Sequence, residues 1–475
     1  MNSTFKITKD LEADINSILS SFHGKRLVKF YSEKFNVPEE VCSHYIKQKL
    51  ARSYSVKSKK YIPIMHKSCF FFSFLQYIIF ILLISLLSKK IGHQKRKFKL
   101  LIDDIQSSNE FNRWRCLEDK YTEEETVYIT RFSTKEESSK SNVSSHRNLY
   151  DYDRVAVLSL GLKDLFTDIL FLTKSSLWIK FNLFHIHTHF VNDFLYYGTL
   201  FKVCIADYMI QDRNLGRTNA LKNYLFKLSG GEVSSCIQKN IVQHNGNALF
   251  YDVDIFFAYG NRTSEDIMNL GARIDKIHPI GSFAFNNSSN ATESNIKINR
   301  IDVLYIGINA INSKKTDWSG YYESVKWLAK FSKKNQHLNI YIKHHPSWNE
   351  DKKEIKIIKD SGIQYLNKNL DSYLAAKNST FIVTYGSSMG YELIGYDFNV
   401  IFLDPINTNP FINNFVHDDK NVINDYMNME LLLGDIEKYK EKKKSLMLSD
   451  YCHQNKTISD SIYQALDSYK SLNQQ

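Results

Sequence analysis

In the second half of this chain, short apolar runs alternate with segments of helical period. Arg300–Gly307, Asn339–Lys343, Ile363–Leu366, Thr380–Thr384 and Val400–Leu403 read as buried strands. Between them, Gly320–Lys333, the charged stretch ending near Asp360, Asp371–Lys377 and Met389–Gly395 read as helices. Strands alternating with helices at this spacing predict a parallel, doubly wound α/β sheet. The first half repeats the theme less regularly. Strands are predicted at Lys97–Ile105, Glu125–Phe132, Val155–Ser159, near Trp178–Phe184, Asn240–Gly246, Asp254–Gly260 and Ile277–Gly281. A helix over Ser264–Leu270 is closed by Gly271. Ser133–Leu149 is polar and serine-rich, and reads as a loop.

These patterns divide the chain into a helical region (1–96), an N-terminal α/β domain (97–285), an Asn- and Ser-rich linker (286–299), a C-terminal α/β domain (300–430) and C-terminal helices (431–475). Within the first region, Leu11–Phe22 and Pro38–Ala51 are amphipathic. Cys69–Leu87 carries no charge and is almost wholly apolar, just long enough to span a bilayer. Lysines crowd both flanks: Lys57, Lys59, Lys60 and Lys67 before it, Lys89 and Lys90 after it. Symmetric basic flanks favour a peripheral or monotopic segment that dips into one leaflet, held by anionic lipid at both ends. That places the protein on the cytoplasmic face of the inner or plasma membrane.

The length of 475 residues allows two or three domains, and a net charge of +11 points to anionic partners. Nucleic acid is not among them, because basic residues are not interleaved with aromatics in one patch. Six scattered cysteines without a CxxC pair indicate reduced thiols and no cysteine metal site. His185, His187 and His189 at period two would share one face of a strand, more in keeping with a site rim than with a metal.

In doubly wound sheets ligands bind outside the carboxyl ends of the strands, where the polar clusters of this chain lie. Lys343, His344 and His345 follow one strand; Tyr385, Gly386, Ser387 and Ser388 follow another and open a helix. Free N–H groups and the helix dipole at that turn suit a phosphate. Glu392, one turn further on, suits a ribose or sugar hydroxyl. Asp103 and Asp104 end the first strand of the N-terminal domain.

The runs IVQHNG, DIFFAYGNRTSEDI, IHPIGS, VLYIG, KHHP and YGSSMGYELIGYDFNVIFLD, within about Ile241–Pro405, resemble the capsule and surface-polysaccharide glycosyltransferases. That group includes sialyl-, polysialyl- and Kdo-transferases and, more distantly, CDP-glycerol glycerophosphotransferases. The resemblance implies a GT-B fold, with two Rossmann-like domains facing a cleft. It implies that His345-Pro346 and Ser387-Ser388 hold the donor nucleotide, and that His244 matches a catalytic histidine. The expected activity is transfer of a sugar from a nucleotide-activated donor, such as a CMP-sugar, to a surface polysaccharide or lipid-linked glycan. His244 would be the base, with Asp103 and Asp104 as further candidates. No cofactor or metal is expected, the nucleotide-sugar being a co-substrate. A polyol-phosphate transferase using CDP-glycerol or CDP-ribitol, and a non-catalytic assembly protein on the same scaffold, remain open alternatives.

Overall fold

The computed structural model describes residues 3–57, 60–63, 70–88, 96–130, 143–145, 153–214, 219–239, 246–290, 300–307, 318–346, 348, 350–407, 422–443, 447–454 and 457–473. The amino terminus folds as three helices, α1 (Ser3–Ser20), α2 (Phe22–Phe35) and α3 (Glu39–Arg52). The sequence pattern predicts only the first and third. α2 is easily overlooked because Gly24 and several charges interrupt its apolar stripe of Leu27, Val28, Tyr31 and Phe35, all of which are buried. Gly24 is required there: a Cβ would lie 2.2 Å from the Ile18 carbonyl oxygen, so only glycine lets α2 approach α1 so closely. Ser21 caps the helix, its Oγ accepting from Gly24 N at 3.1 Å, and Asn36 ends it in the left-handed region.

A short antiparallel hairpin, β1 (Tyr54–Lys57) with β2 (Lys60–Pro63), leads to α4 (Phe70–Leu87), which lies in the segment predicted to meet the membrane. Among the described residues, no helix is long and apolar enough to cross a membrane. Tyr77, Ile81 and Ile84 bury one face of α4 in the same core as α1–α3.

The N-terminal sheet is formed by β3 (Arg96–Ile105), β4 (Thr126–Thr130), β5 (Val143–Ser145), β6 (Cys204–Gln211), β7 (Val233–Ile237), β8 (Asp252–Ala258) and β9 (Arg273–Pro279). Its order is β5-β4-β3-β6-β7-β8-β9, every pairing parallel. Around it lie α5 (Ser108–Trp114), α6 (Arg154–Val157), α7 (Leu165–Ile179), α8 (Leu183–Val203), α9 (Ala220–Leu228) and α10 (Asn261–Met268). Two strand predictions are therefore corrected. Val155–Ser159 lies in α6 and the π-helical turn Leu158–Leu162, and Trp178–Phe184 runs from α7 into α8. A short apolar run does not by itself distinguish a buried helix from a strand.

Conversely, β6 and β7 escape the sequence pattern. The residues VSSCI of β7 look like a loop, yet all are buried. Asp254 accepts from the Ser234 hydroxyl at 3.1 Å, and the Met209 carbonyl accepts from the Ser235 hydroxyl at 3.0 Å. β5 forms within the stretch read as a loop, and the strand predicted at Asn240–Gly246 falls almost wholly outside the described residues.

Beyond β9, α11 (Phe283–Asn290) occupies the start of the stretch read as a linker. The C-terminal sheet contains β10 (Ile301–Ile306), β11 (Ile340–Lys343), β12 (Gln364–Tyr365), β13 (Ser379–Thr384), β14 (Val400–Leu403) and β15 (Val422–Ile423). It is parallel throughout, in the order β12-β11-β10-β13-β14-β15. Its connecting helices are α12 (Ser319–Lys334), α13 (Lys352–Ile358), α14 (Ser372–Lys377) and α15 (Ser388–Gly395), close to their predicted bounds. Four helices follow: α16 (Tyr426–Gly434), α17 (Ile436–Lys443), α18 (Leu448–Tyr451) and α19 (Ile458–Asn473). α19 crosses back against β7, and Ile458, Ile462, Ala465 and Leu466 join the core formed by β3, β6, β7 and β8 of the N-terminal domain. The plan is GT-B, as expected: two doubly wound parallel-sheet domains.

Candidate functional site

Register fixes the C-terminal half of the site. Ile306 of β10 pairs with both Lys343 of β11 and Thr384 of β13. Gly307, His344 and Tyr385 therefore leave three adjacent strands at one level, with β10 between the two clusters singled out in the sequence. Thr384 organises the turn after β13. Its hydroxyl donates to the Ile306 carbonyl at 3.0 Å and accepts from Ser387 N at 3.1 Å and Gly386 N at 3.3 Å. Ser387 is the N-cap of α15, its Oγ accepting from Met389 N at 3.3 Å. Ser388 occupies the first helical position, where an N–H has no partner within the helix.

The individual side chains take different parts. The Lys343 ammonium is buried and donates to the carbonyls of His344 at 2.7 Å and Lys368 at 3.0 Å. Burial also holds its pKa below the ordinary lysine value. It thus braces the strand end. His345 stands exposed. Partial burial, and then the Lys343 ammonium, lower its pKa from 6.5, so at neutral pH it offers a neutral imidazole. Tyr385 is buried in the domain core, packed so closely under α12 that a Cβ on Gly320 would lie 2.6 Å from its hydroxyl.

His344 has a role that the sequence does not announce. It is buried and stacks on Trp348 with ring centroids 4.0 Å apart. Its Nε2 lies 2.7 Å from a carboxylate oxygen of the fully buried Glu354, which also accepts from the Tyr365 and Tyr321 hydroxyls. The other ring nitrogen, Nδ1, faces Gly307, where a Cβ would come within 2.2 Å of it. This carboxylate–imidazole pair therefore sits at the mouth of β10. The His-His-Pro run signals the histidines, but Glu354 lies ten residues on, in a helix that reads as a solvated charged face.

Glu392 is buried at the seam between the domains. It accepts from the Tyr373 hydroxyl at 2.8 Å and from the Ser282 hydroxyl, just beyond β9. Burial raises its pKa, against the lowering effect of Ser282, Tyr373 and Arg113.

In the N-terminal domain, Asp103 and Asp104 sit in a bulge near the end of β3, where the pairing with β4 shifts register and Asp104 takes φ 69°. Both are buried. Asp103 is paired with Lys222 of α9, whose ammonium also donates to Gln211 Oε1 at 3.0 Å. A second polar group lies at the ends of β3 and β6. Asp212 accepts from Trp114 Nε1 at 2.7 Å and Lys239 Nζ at 2.9 Å; Glu110 accepts from Arg213 at 2.9 Å and is also paired with Lys239. Burial pushes the Asp212 carboxyl up to about 6, against the opposing pull of Lys239. Glu110, also penalised by burial, is held below its ordinary value chiefly by Lys239. Sequence reasoning missed these residues because they are dispersed over more than a hundred positions with no motif. His244 lies outside the described residues.

The histidines predicted to share a strand face are in α8 instead. His185 and His189 are neighbours one turn apart, at 4.5 Å between ring centroids, while His187 points into the core between Tyr31 and Tyr77. Among the described residues no group of His, Cys, Asp or Glu could hold a metal ion.

No protein-family model matches this chain, and no curated protein matches it in sequence. Solved structures do resemble it. A co-structure of S. aureus MnaA with UDP is similar with a TM-score of 0.50 at 12% identity, over 79% of this chain and 98% of that one. A UDP-N-acetylglucosamine 2-epimerase is similar with a TM-score of 0.46 at 13% identity, over 79% of this chain and 97% of the other. The wall teichoic acid polymerase TagF is similar with a TM-score of 0.47 at 10% identity, over 86% of this chain and 100% of the polymerase chain. At these identities the likeness is one of fold.

Proposed function

We propose that this protein is a glycosyltransferase that moves a sugar from a nucleotide-activated donor to a glycan or lipid-linked acceptor. The observation that carries the reading is the alignment of Gly307, His344-His345-Pro346 and Gly386-Ser387-Ser388 at the ends of three adjacent parallel strands. Such an end, opening into a helix N-terminus, suits the phosphates of a nucleotide. The first turn of α15 would hold the phosphates through Ser388 and the Ser387 turn. His345 would donate a neutral hydrogen bond, whereas Glu392, predicted to meet a ribose or sugar hydroxyl, is buried and committed to Ser282 and Tyr373. A chain of the same fold solved with UDP is consistent with a nucleotide in this cleft.

A base must take the proton of the acceptor hydroxyl as the sugar–phosphate bond breaks. His244 is the first candidate. Asp103, committed to Lys222, is less available than the sequence suggests, and Asp104 remains the second. Leaving-group charge on the nucleotide would be met by helix N–H groups rather than by a lysine, since Lys343 is spent on carbonyls.

The test is nucleotide-dependent thermal stabilisation of the purified protein, with cytidine and uridine mono- and diphosphates compared side by side. One of them is expected to raise the melting temperature. Replacing Ser387 and Ser388 with Ala should weaken that nucleotide by about a hundredfold or more, since each of the two charge-assisted hydrogen bonds contributes about 1.5–3 kcal/mol. A folded double variant that binds as well as the parent would overturn the assignment.

A further inference from the structure

We propose that the outer faces of α4 and α7 together form a docking surface for an anionic lipid bilayer, with both helices lying in the membrane plane. The inference concerns a surface away from the cleft and does not depend on the transferase reading.

The argument starts from how α4 is used. Its buried residues, among them Ser73, Tyr77, Ile81 and Ile84, recur every three or four positions and face the protein. The opposite face carries Phe72, Ile79, Leu83 and Leu86, which are 71%, 47%, 50% and 80% exposed. A helix with one face sealed against its own domain cannot cross a bilayer alone, yet its other face is too apolar for water. Its sequence contains no charged residue at all.

The sequence pattern attends only to this helix, but the structure adds a second. Phe166, Leu170 and Leu177 of α7 are exposed, as is Trp178, which stacks on His23 at 4.6 Å. The two helices approach the same side of α8. Tyr77 of α4 and Asp168 of α7 both reach the buried His187, at 3.1 and 3.6 Å, and the Tyr77 hydroxyl donates to Asp168 at 3.2 Å. Their inner faces meet at that point, which leaves the apolar outer face of each helix exposed. Exposed apolar surface on two neighbouring helices marks an interaction site.

Charge complementarity selects the occupant. Lys163, Lys174 and Lys180 are exposed along α7, and Lys25 and Arg26 are exposed beside Phe22, itself 69% exposed. The acids of α7 are already engaged: Asp168 is buried with Lys34 at 2.9 Å, and Asp164 lies 3.5 Å from the same lysine. An apolar plateau with a lysine and arginine rim is complementary to lipid tails beneath anionic headgroups. A second copy of this chain would bring the same cations against one another.

The test uses the full chain and vesicles of phosphatidylcholine with or without phosphatidylglycerol. The protein is expected to sediment with the anionic vesicles, and the α7 variant Phe166→Glu/Leu170→Glu/Leu177→Glu to lose about tenfold or more in bound fraction at an unchanged melting temperature. Brominated lipid should quench a tryptophan signal that is absent in Trp178→Phe, a readout that holds even if the triple variant fails to fold. The proposal is overturned if the wild type ignores anionic vesicles or a folded triple variant binds as before. It is equally overturned if Trp178→Phe is quenched like the wild type, or if light scattering shows a dimer that the triple variant dissolves.

Discussion

At the scale of single residues, the polar groups that matter most are those that folding has already committed. Lys222 is fully buried against Asp103, and Gln211 takes a further hydrogen bond. Lys222→Met would leave the Asp103 carboxylate buried without its cation. Such a break costs about 3–5 kcal/mol, and urea denaturation should register a loss of that order. Two histidines give the molecule an acid limit. His44 is lowered to about 4 by burial, then by Arg273 and Lys47; His189 is lowered to about 4 by burial, then by Lys49 and His185. Both are neutral when folded, whereas the unfolded chain takes up their protons below about 6.5. Their stability contribution is therefore complete above pH 6.5 and lost as pH falls towards 4, by up to about 3 kcal/mol each. Asp212, raised to about 6, works in the opposite direction and offsets part of this loss. Melting temperature should fall through that window, and His44→Gln or His189→Gln should flatten the fall.

At the scale of elements, the C-terminal domain was legible and the N-terminal one only in part. β10, β11, β13 and β14 are apolar runs bracketed by helices with clear caps, such as Asp371 before α14 and Ser387 before α15. Period and caps agree, so the pattern reads cleanly. β7 instead hides two buried serines whose hydrogen bonds go to distant partners, and α7 with α8 form an apolar tract whose type no local period decides. The site divides the same way. His345 and Ser387 could be picked out because they stand at strand ends, whereas Glu354 and Asp212 depend on tertiary contacts with His344 and Trp114. The close approach at the end of β10 offers a test. In Gly307→Ala the new methyl must displace the His344 ring, which is fixed on its other sides by Trp348 and Glu354. Overpacking of this kind costs about 1–3 kcal/mol. A thermal scan should show that loss, and nucleotide stabilisation should shrink with it if the cleft edge moves.

At the scale of the whole molecule, the two sheets are tied by more than their connecting chain. Glu392 takes hydrogen bonds from Ser282 on one side and Tyr373 on the other, and the His453 N–H donates to the Tyr259 carbonyl at 2.7 Å. α19 then seals the N-terminal core. Leu466→Ala, at a position with no exposure at all, should cost about 2–5 kcal/mol. That loss should appear as destabilisation of the N-terminal domain, reported by hydrogen exchange in β3 and β6 and not only in α19 itself.

The returning helix also sets an order of events during synthesis. Domains generally fold as units, amino-terminal first, as the ribosome releases them. Here the first sheet is complete by Pro279, but the residues that cover one of its faces, Ile458 to Leu466, are made only after the whole second domain. For the time needed to translate the whole second domain, the nascent first domain carries an open apolar face around Leu100, Ile102 and Ile255. Chaperone binding to ribosome-bound intermediates should therefore persist through synthesis of the second domain, then fall abruptly once α19 emerges.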